Sequence, residues 1–526
     1  MGFSAFCPEI VSLIEKGIIS NPDELNKWKA RLAKKHGLDE FPSNTEITGS
    51  GISLSKKALA LLCRKPVRSM SGITVVAAMV PPHDCPGKCT YCPSSLVDSR
   101  TPKSYTGREP AAMRALQANF DPALQVQDRL RQLQETGHST SKVEFIVMGG
   151  TFFSQSKKFR EKFMLGALNA FTGKKSESIR TARLAAEKSA IRLTGMAFET
   201  RPDFCLKKDV GEMLSYGGTR CELGVQILND RVYKKVQRGH TVADVASATK
   251  NLKDAGFKVL YHTMPGLPFT SPKDDLDSFK EMFSSESFKP DMLKIYPCLV
   301  IKGTKLHKDF LDGKFSPITE KEAVKLIMKV KKTIPRWARI MRVQRDIPSP
   351  LVEGGIKHSN LRQIVEKEMK RKGIECNCIR CREAVLQKYK HGFAPAAENA
   401  ELFTEEYRAS GGTEVFLSLE DKKRKALFGY CRLRIPDNSY RKEIGSKGVI
   451  VRELRVFGEP LSLGKRKQAA LQHKGFGAKL FHEAEKIASE EFGRKKLSVI
   501  AGLGAREYYR EKLGCKTDGF YVSKRI

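Results

Sequence analysis

The sequence predicts an α/β protein in which a partial or full barrel of parallel strands is followed by a separate α+β domain and preceded by a basic helical region. Short β-branched runs alternate with helical stretches from residue 72 to about residue 345, as expected for repeated strand-then-helix units. From about residue 412 the pattern changes to antiparallel strands and a glycine-rich loop. A chain of 526 residues also exceeds one ordinary core, so several domains are expected.

We place the domain boundaries where these patterns change. The predicted units are a basic helical region at 1–70, a barrel domain at 71–345, a linker with a second cysteine group at 346–400 and a C-terminal domain at 401–526. Within the first unit, the helix predicted at 22–38 begins at a proline, carries acids first and bases later, and stops at a glycine.

The barrel strands are predicted from apolar runs that lack clean alternation, as in a parallel sheet covered by helices on both faces. The runs are GITVVAAM (72–79), VEFIVMGG (143–150), IRLTGMAFET (191–200), CELGVQI (221–227), FKVLYHTMPG (257–266) and MLKIYPCLVI (292–301). In such folds the chemistry lies at the C-terminal ends of the strands. Residues that directly follow these runs are therefore candidates for a functional site.

The C-terminal domain is predicted from a different pattern. The runs TEVFLSL, ALFGYCRLRI and GVIVRELRVFG are typical of antiparallel strands with turns between them. A glycine-rich loop, a helix, a strand, another helix and a final strand follow. This order indicates an α+β domain that is separate from the barrel.

Composition limits the classes of protein. A hydrophobic share of 40% and a charged share of 29% are typical of soluble globular proteins, and no apolar run is long enough to span a bilayer. The first twenty residues show no signal-peptide pattern. The thirteen cysteines are clustered, which favours metal-bound thiolates in a reducing cytosol over a secreted disulfide scaffold. We expect a cytoplasmic protein without a membrane partner.

The formal charge of +35 indicates a polyanionic partner. Lysine and arginine number 94 against 59 aspartates and glutamates. Because neutralised phosphates release counterions, an excess of this size favours nucleic acid. Lys65 and Arg68 form a basic turn after the N-terminal helices. Each base alone is typical of a solvated helix face, whereas the set predicts an RNA-binding surface.

Cys85, Cys89 and Cys92 directly follow the first predicted strand, in the stretch PPHDCPGKCTYCPSS. Three interpretations are open: a zinc site with His83 as the fourth ligand, a redox pair of Cys89 and Cys92, or three ligands of a 4Fe-4S cluster with one open iron. The spacing and the position after a barrel strand favour the cluster. No second cysteine pair lies nearby for zinc, and the thioredoxin-like context of a redox pair is missing.

The C-x3-C-x2-C spacing resembles the radical S-adenosylmethionine (SAM) superfamily. The resemblance implies that the open iron chelates SAM and that an electron from the cluster cleaves SAM to a deoxyadenosyl radical. MGGTF resembles the glycine motif of the superfamily, in which Gly149 and Gly150 would offer carbonyls to the amino group of SAM. Glu199, Arg201 and Gln226, at other strand ends, would contact its ribose and carboxylate. Taken singly, the two glycines are also typical of a tight turn, and each polar residue is also typical of a polar group that caps the core.

The C-terminal domain resembles the GNAT acetyltransferases. The loop Gln472-x-x-Gly475-x-Gly477 follows a strand and opens a helix, where glycines let backbone N–H groups approach a phosphate. The resemblance implies that this loop grips the pyrophosphate of coenzyme A. Tyr508 and Tyr509, in the helix before KLGC, would lie near the thioester sulfur, although paired tyrosines are also typical of a core.

A radical SAM domain and a GNAT domain in one basic chain together resemble the catalytic subunits of Elongator, which modify the wobble uridine of tRNA. Matching stretches run almost throughout, among them SYTGREPAAMRA, LKIYPCLVIKGT and QHKGFGAKL. The resemblance implies acetyl-CoA as co-substrate and contacts to the anticodon stem-loop of tRNA. The implied residues are Gln472, Lys474, Gly475, Phe476 and Gly477 for acetyl-CoA; Lys65, Arg68, Arg342 and Arg345 for tRNA; and Lys294, Tyr508 and Tyr509 for catalysis.

The linker contains a second cysteine group, CNCIRC, with Cys376, Cys378 and Cys381. It resembles a zinc site of prokaryotic members of the family, and such a site would brace the hinge between domains. Three free cysteines in a loop are the alternative. The candidates for a fourth ligand are Cys298, His358 and His391.

These resemblances imply a transferase that uses SAM-derived radical chemistry and acetyl-CoA to form 5-carboxymethyluridine at the wobble position. A protein lysine acetyltransferase with a structural iron–sulfur cluster is one alternative, and it would need no SAM. A non-catalytic tRNA-binding scaffold is another, and it would tolerate loss of the cysteines and of Gly475 and Gly477, all of which this chain retains. The oligomeric state stays open, with a homodimer among the options.

Overall fold

The computed structural model describes residues 2–38, 40, 42–63, 72–93, 100–392, 397–457 and 475–526. The N-terminal region is helical and has a small core of its own, which includes Phe6, Ile10, Ile14, Leu25 and Leu32. Its helices are α1 (Gly2–Glu15), α2 (Pro22–Lys35), α3 (Asn44–Thr48) and α4 (Lys56–Leu62).

Helix α2 confirms the helix predicted from its punctuation. The Asn21 side chain caps it by accepting the Glu24 backbone N–H at 2.9 Å, and Pro22 occupies the first helical position. Acids lie in its first turn and Lys34 and Lys35 in its last, which complements the helix dipole. Lys65 and Arg68, the predicted RNA contacts of this region, lie outside the described residues.

A curled, open sheet of seven parallel strands forms the barrel domain, which confirms the predicted partial barrel. Its strands are β1 (Thr74–Met79), β2 (Lys142–Met148), β3 (Arg192–Thr200), β4 (Arg220–Gln226), β5 (Lys258–Thr263), β6 (Met292–Ile295) and β8 (Arg339–Val343), while β7 (Val300–Ile301) pairs with β9 (Val352–Gly354) outside it. The order is β1-β2-β3-β4-β5-β6-β8, so β1 and β8 are the two edges. The predicted runs coincide with β1 to β6, whereas β8 lies outside every predicted run.

Helices cover this sheet, and those from α5 to α14 lie in the connections between its parallel strands. They are α5 (Pro110–Gln117), α6 (Pro122–Glu135), α7 (Lys157–Thr172), α8 (Ile179–Glu187), α9 (Lys207–Tyr216), α10 (Asp230–Lys235), α11 (Val242–Asp254), α12 (Pro272–Ser284), α13 (Lys305–Leu311), α14 (Glu320–Thr333), α15 (Leu361–Arg371), α16 (Ile379–Arg382) and α17 (Ala384–His391). Because all seven strands are parallel, their C-terminal ends meet at one edge of the sheet. None of the described helices is long and apolar enough to cross a membrane.

A second seven-stranded sheet forms the C-terminal domain. Its elements are β10 (Glu401–Arg408), β11 (Gly412–Glu420), β12 (Leu427–Pro436), β13 (Gly448–Val456), α18 (Phe476–Lys486), β14 (Lys496–Val499), α19 (Arg506–Leu513), β15 (Lys516–Asp518) and β16 (Tyr521–Arg525). The strands β11, β12 and β13 are antiparallel, as predicted. Only β13 and β14 pair in parallel, over 448–451 and 496–499, and β13 continues beyond the pairing. The two strands therefore separate next to α18.

The C-terminal domain packs against the N-terminal ends of the barrel strands. Trp337, just before β8, stacks on Tyr407 of β10 with ring centroids 4.3 Å apart. Fully buried charges also cross this interface: Arg452 of β13 contacts Asp291, which precedes β6, at 2.6 Å. The interface and the C-terminal strand edge are thus at opposite ends of the barrel.

Candidate active site

The three-cysteine loop lies at the C-terminal edge of the barrel sheet, as predicted. The Cys85, Cys89 and Cys92 side chains line a cavity of about 630 Å³ that opens among the ends of the strands. The Thr90 backbone N–H donates to the Val236 carbonyl at 3.1 Å, so the loop is fixed to the end of α10. Other residues that the sequence predicts for a site also line this cavity: Gly150, Glu199, Arg201, Gln226, Lys294, Arg342 and Arg345.

The glycine pair after β2 adopts a backbone that favours glycine. Gly149 has φ +111° and Gly150 has φ +87°. A Cβ at Gly149 would lie 2.9 Å from Cγ2 of Val80 and 3.0 Å from the Val80 nitrogen, so β1 leaves no room for a side chain. The strand end therefore turns tightly against β1, and Gly150 lines the cavity whereas Gly149 does not.

A buried polar cluster lies across the cavity from these glycines. Glu222 accepts hydrogen bonds from Lys294 and, at 2.8 Å, from His262, while the Lys294 ammonium lies 3.6 Å from Glu199. The Tyr105 hydroxyl donates to Glu199 at 2.8 Å. Burial opposes ionisation of Glu222, but the charges of Lys294 and Arg220 hold its pKa well below the usual value.

Two carboxylates and a histidine this close together could also hold a metal ion, since Glu199, Glu222 and His262 place ligand atoms within 4.8 Å of one another. Here the Lys294 ammonium already supplies the cation, in contact with Glu222. The sequence predicts Glu199 and Lys294 for the site but not Glu222 or His262. Alternate ionisable residues in an otherwise apolar strand are the signal for Glu222.

The surroundings of the cysteine loop fit an anionic cluster. Arg201, Arg238 and His240 are buried beside it, and Arg201 fills the space next to Gly87. Within the described part of the chain, Nη1 of Arg201, Nε of Arg238 and both ring nitrogens of His240 lack hydrogen-bond partners. A cluster on three thiolates would supply negative charge and acceptor sulfurs to such donors.

The His83 side chain contacts other polar groups and does not take the position of a zinc ligand. Its Nε2 lies 3.2 Å from the Thr151 carbonyl and 3.2 Å from the Ser154 hydroxyl. Among the described residues, Cys85, Cys89 and Cys92 do not form a set of ligand atoms within 4.8 Å of one another, with or without His83, as a zinc site would require. The geometry therefore favours the cluster over zinc.

The second cysteine group brings three sulfurs close enough together to hold a metal ion. The Cys376, Cys378 and Cys381 sulfurs lie within 4.8 Å of one another, and the Lys331 ammonium lies 3.5 Å from Cys381. Hydrogen bonds from the Cys376 and Cys381 thiols hold the pKa of Cys378 well below its usual value. Of the candidates for a fourth ligand, Cys298 and His358 lie outside this group, and the side chain of His391 is outside the described part of the structure.

The start of α18 carries the predicted coenzyme A loop. Gly475, with φ +75°, precedes Phe476 and Gly477 in the first turn, while Gln472 and Lys474 lie outside the described residues. A Cβ at Gly477 would lie 3.1 Å from the Tyr508 hydroxyl oxygen, so this tyrosine closes on the helix N-terminus. Tyr508 is 41% exposed, whereas Tyr509 is buried against Phe481. Tyr508 is the better placed of the two to meet a ligand.

Two arginines at the end of β8 lie at the mouth of the cavity. Arg342 pairs with Asp346, and Arg345 donates to the Ser104 carbonyl. The Arg345 guanidinium also lies over the Tyr105 ring, 6.0 Å from its centroid. Both bases that the sequence predicts as RNA contacts in this segment therefore border the cavity that holds the cysteine loop.

Asp275→Asn is expected to stabilise the loop after β5, which borders the cavity. Asp275 accepts the Gly266 N–H at 2.8 Å, and burial raises its pKa to about 7. Because the folded state binds this proton more tightly, the free energy of unfolding falls as pH rises from about 4 to 7. The substitution removes that penalty and, at pH 8, should raise the free energy of unfolding by roughly 4 kcal/mol, measured by urea denaturation.

Asp274→Asn is the matched control for this prediction. Hydrogen bonds from Ser271 lower the pKa of Asp274, and its carboxylate caps α12. Its folded-state stabilisation is present above the unfolded pKa and is lost as pH falls, so this variant should be less stable than the parent at pH 8. If Asp275→Asn does not change the pH dependence of the free energy of unfolding, ionisation of Asp275 does not destabilise the folded state and the prediction is wrong.

Comparisons with known proteins agree with this geometry. Three family models match consecutive parts of the chain: the ELP3 N-terminal domain at residues 3–70, the Radical SAM superfamily at 79–282 and the Radical SAM C-terminal domain at 290–371. The tRNA uridine(34) acetyltransferase of Methanocaldococcus infernus is 47% identical over 490 residues, which cover 92% of each chain. Elongator complex protein 3 of Homo sapiens is 41% identical over 98% of this chain and 96% of its own.

A solved structure matches most of the fold. The archaeal Methanocaldococcus infernus Elp3 with an N-terminal deletion superposes with a TM-score of 0.77 at 43% identity, covering 87% of this chain and all of that one. The chain therefore belongs to the Elongator complex protein 3 family of radical SAM enzymes, which includes the archaeal tRNA uridine(34) acetyltransferases.

Proposed function

We propose that this enzyme forms 5-carboxymethyluridine at the wobble position of tRNA from SAM and acetyl-CoA. The observation that supports the proposal is that one chain combines two candidate ligand sites. The cysteine loop and the Glu222–Lys294 cluster share one cavity, and the glycine-opened start of α18 lies beside Tyr508 in the other domain. Relatives over almost the whole chain bear the name tRNA uridine(34) acetyltransferase.

Cys85, Cys89 and Cys92 would hold the 4Fe-4S cluster, which when bound supplies the electron for reductive cleavage of SAM. Gly149 and Gly150 would present backbone carbonyls to the amino group of SAM. Glu199, Arg201 and Gln226 are the polar groups for its ribose and carboxylate, and all three line the cavity. Lys294 would neutralise Glu222 and fix Glu199 for a ligand contact.

Acetyl-CoA would bind in the C-terminal domain. Backbone N–H groups of Gly475, Phe476 and Gly477 face out of the N-terminus of α18, where the helix dipole favours a pyrophosphate. The acyl end would then reach the gap where β13 and β14 separate, with the Tyr508 hydroxyl beside it. Gln472 and Lys474 complete the proposed loop by sequence.

The tRNA would dock with its anticodon stem-loop over the mouth of the cavity. Arg342 and Arg345 border that mouth, and the chain carries a net charge of +35 for the phosphate backbone. A wobble base can reach a buried site only when it is flipped out of its stack. Lys65 and Arg68 are the proposed contacts of the N-terminal region, and we place the enzyme with its tRNA in the cytoplasm.

Mass spectrometry of tRNA nucleosides tests this function directly. The anaerobically reconstituted protein is incubated with unmodified tRNA, SAM, acetyl-CoA and a reductant, and each component is omitted in turn. The proposal expects 5-carboxymethyluridine only in the complete mixture. Acetyl transfer to protein lysines without SAM, and no modified uridine, would establish the lysine acetyltransferase alternative instead.

We propose further that Cys376, Cys378 and Cys381 hold a structural zinc ion. Cys378→Ser is expected to reduce bound zinc from about one per chain to near zero and to lower Tm by several degrees, since such sites contribute directly to folding. Elemental analysis and thermal melting measure both effects. Cys515→Ala, which removes another buried cysteine, should keep the zinc. Iron in place of zinc at this group would contradict the assignment.

A further inference from the structure

Arg238 is a buried cation in contact with one of the proposed cluster ligands. It follows α10, where its backbone N–H donates to the Tyr233 carbonyl at 2.9 Å, and only 8% of the residue is exposed. Its Nη1 lies 3.5 Å from Sγ of Cys89, and its Nη2 donates to the Gly224 carbonyl at 2.5 Å. The guanidinium is therefore held in one orientation, with one edge toward the cysteine loop.

The strand opposite is shaped for this guanidinium. A Cβ at Gly224 would lie 2.5 Å from Nη2 of Arg238, so a larger residue in β4 would displace it. A glycine inside a strand often marks the close approach of another group. Both the donor and the space that it occupies are thus built into the fold.

Arg238 has no acidic partner within the described part of the chain. No carboxylate there lies within the 4.0 Å ion-pair distance of its nitrogens, whereas the neighbouring Arg201 is paired with Asp203 at 2.8 Å. His240, next to both, adds no charge, because burial and the two arginines lower its pKa to about 2. A buried, unpaired cation is costly, so this position calls for an anion. Cys89, which would be a thiolate when it holds a cluster, is the group in reach.

We propose that Arg238 raises the reduction potential of the 4Fe-4S cluster by donating a hydrogen bond to the Cys89 thiolate. Reduction adds one negative charge to the cluster and its thiolates. A fixed cationic N–H donor stabilises that charge more than it stabilises the oxidised form. Arg238 is thus a positioning residue that acts through Cys89, and the inference rests on the cluster assignment of the proposed function.

A redox titration of the cluster tests this proposal. The full chain is reconstituted anaerobically, without SAM, tRNA or acetyl-CoA, and the reduced cluster is followed by electron paramagnetic resonance. At a given applied potential, Arg238→Gln is expected to lower the ratio of reduced to oxidised cluster at least tenfold. For a one-electron couple, a tenfold change in this ratio corresponds to a shift of 59 mV in the midpoint potential. Arg238→Lys keeps the charge without the planar fork and should lie between.

Lys234→Gln is the matched control. Lys234 is exposed on α10, four residues before Arg238, and its substitution removes the same charge without touching Cys89. Its midpoint potential should stay close to that of the parent. An unchanged potential in Arg238→Gln, or an equal shift in Lys234→Gln, overturns the proposal.

A measurement on the parent protein covers the case in which the variants assemble no cluster. With ¹⁵N-labelled arginine, pulsed paramagnetic resonance of the reduced cluster should detect a coupled arginine nitrogen, and its absence overturns the proposal. If the parent forms modified uridine but Arg238→Gln does not shift the potential, only the role of Arg238 is contradicted. If Arg238→Gln shifts the potential but the parent forms no modified uridine, only the proposed function is contradicted.

Discussion

Cys89→Ala is expected to abolish formation of 5-carboxymethyluridine and to leave tRNA-stimulated hydrolysis of acetyl-CoA unchanged. The substitution removes one of the three cysteines that line the barrel cavity and that we propose as the protein ligands of the cluster. The proposed acetyl-CoA residues lie in the other domain, at the opposite end of the barrel, so they keep their geometry. Nucleoside mass spectrometry measures the product, and free thiol release measures the hydrolysis.

Cys205→Ala provides the control for this separation of activities. Cys205 is a buried cysteine of the same domain that does not line the cavity. Its loss should leave both activities in place, with at most a modest loss of stability. Modified uridine from Cys89→Ala would contradict the radical mechanism. Loss of both activities in Cys89→Ala alone would show that the two sites are coupled rather than independent.

Much of the barrel follows from local sequence. The runs for β1 to β6 are apolar and β-branched, which is the pattern of strands buried on both faces. The edge strand β8 has the sequence RIMRV, and its two arginines interrupt the apolar pattern that predicts the other strands. Arg339 is buried against Glu383 and Arg342 borders the cavity, so only tertiary contacts explain both charges. The strand β10, with the sequence ELFTEEYR, is missed for the same reason, because half of its residues are charged.

Some residues of the candidate site are predicted by local sequence motifs, whereas others are recognised only from contacts between distant parts of the chain. The cysteine spacing and the glycine pair are contiguous motifs, so the sequence alone predicts them. Arg238 and Cys89 are 149 positions apart, and no periodic pattern relates them. His262 likewise meets Glu222 only because β4 and β5 are neighbours in the sheet. Residues that act through contacts between strands become visible only when the sheet order is known.

Asp291→Ala is expected to lower the free energy of unfolding by about 3–5 kcal/mol, because it leaves a buried network of cations one carboxylate short, with only Glu414 and Glu453 beside Arg452 and Arg432. The Asp291 carboxylate accepts both terminal nitrogens of Arg452, at 2.6 and 2.8 Å, and the Val259 N–H at 2.8 Å. Arg432 lies 3.4 Å away. Although burial opposes ionisation, these arginines and Lys253 hold the pKa of Asp291 far below its usual value. Its contribution is therefore present above about pH 4 and is lost as pH falls below that value.

Glu286→Ala distinguishes this buried network from ordinary surface pairing. Glu286 also crosses the interface, 3.2 Å from Arg408, but both side chains are about half exposed. A solvated pair of this kind contributes about 0–1 kcal/mol, so this variant should unfold almost like the parent in urea. Asp291 joins the barrel to the C-terminal domain, so its loss should also split one cooperative transition into two. A single transition with a loss below about 1 kcal/mol would show that apolar packing, including the Trp337–Tyr407 stack, holds the domains together without the charges.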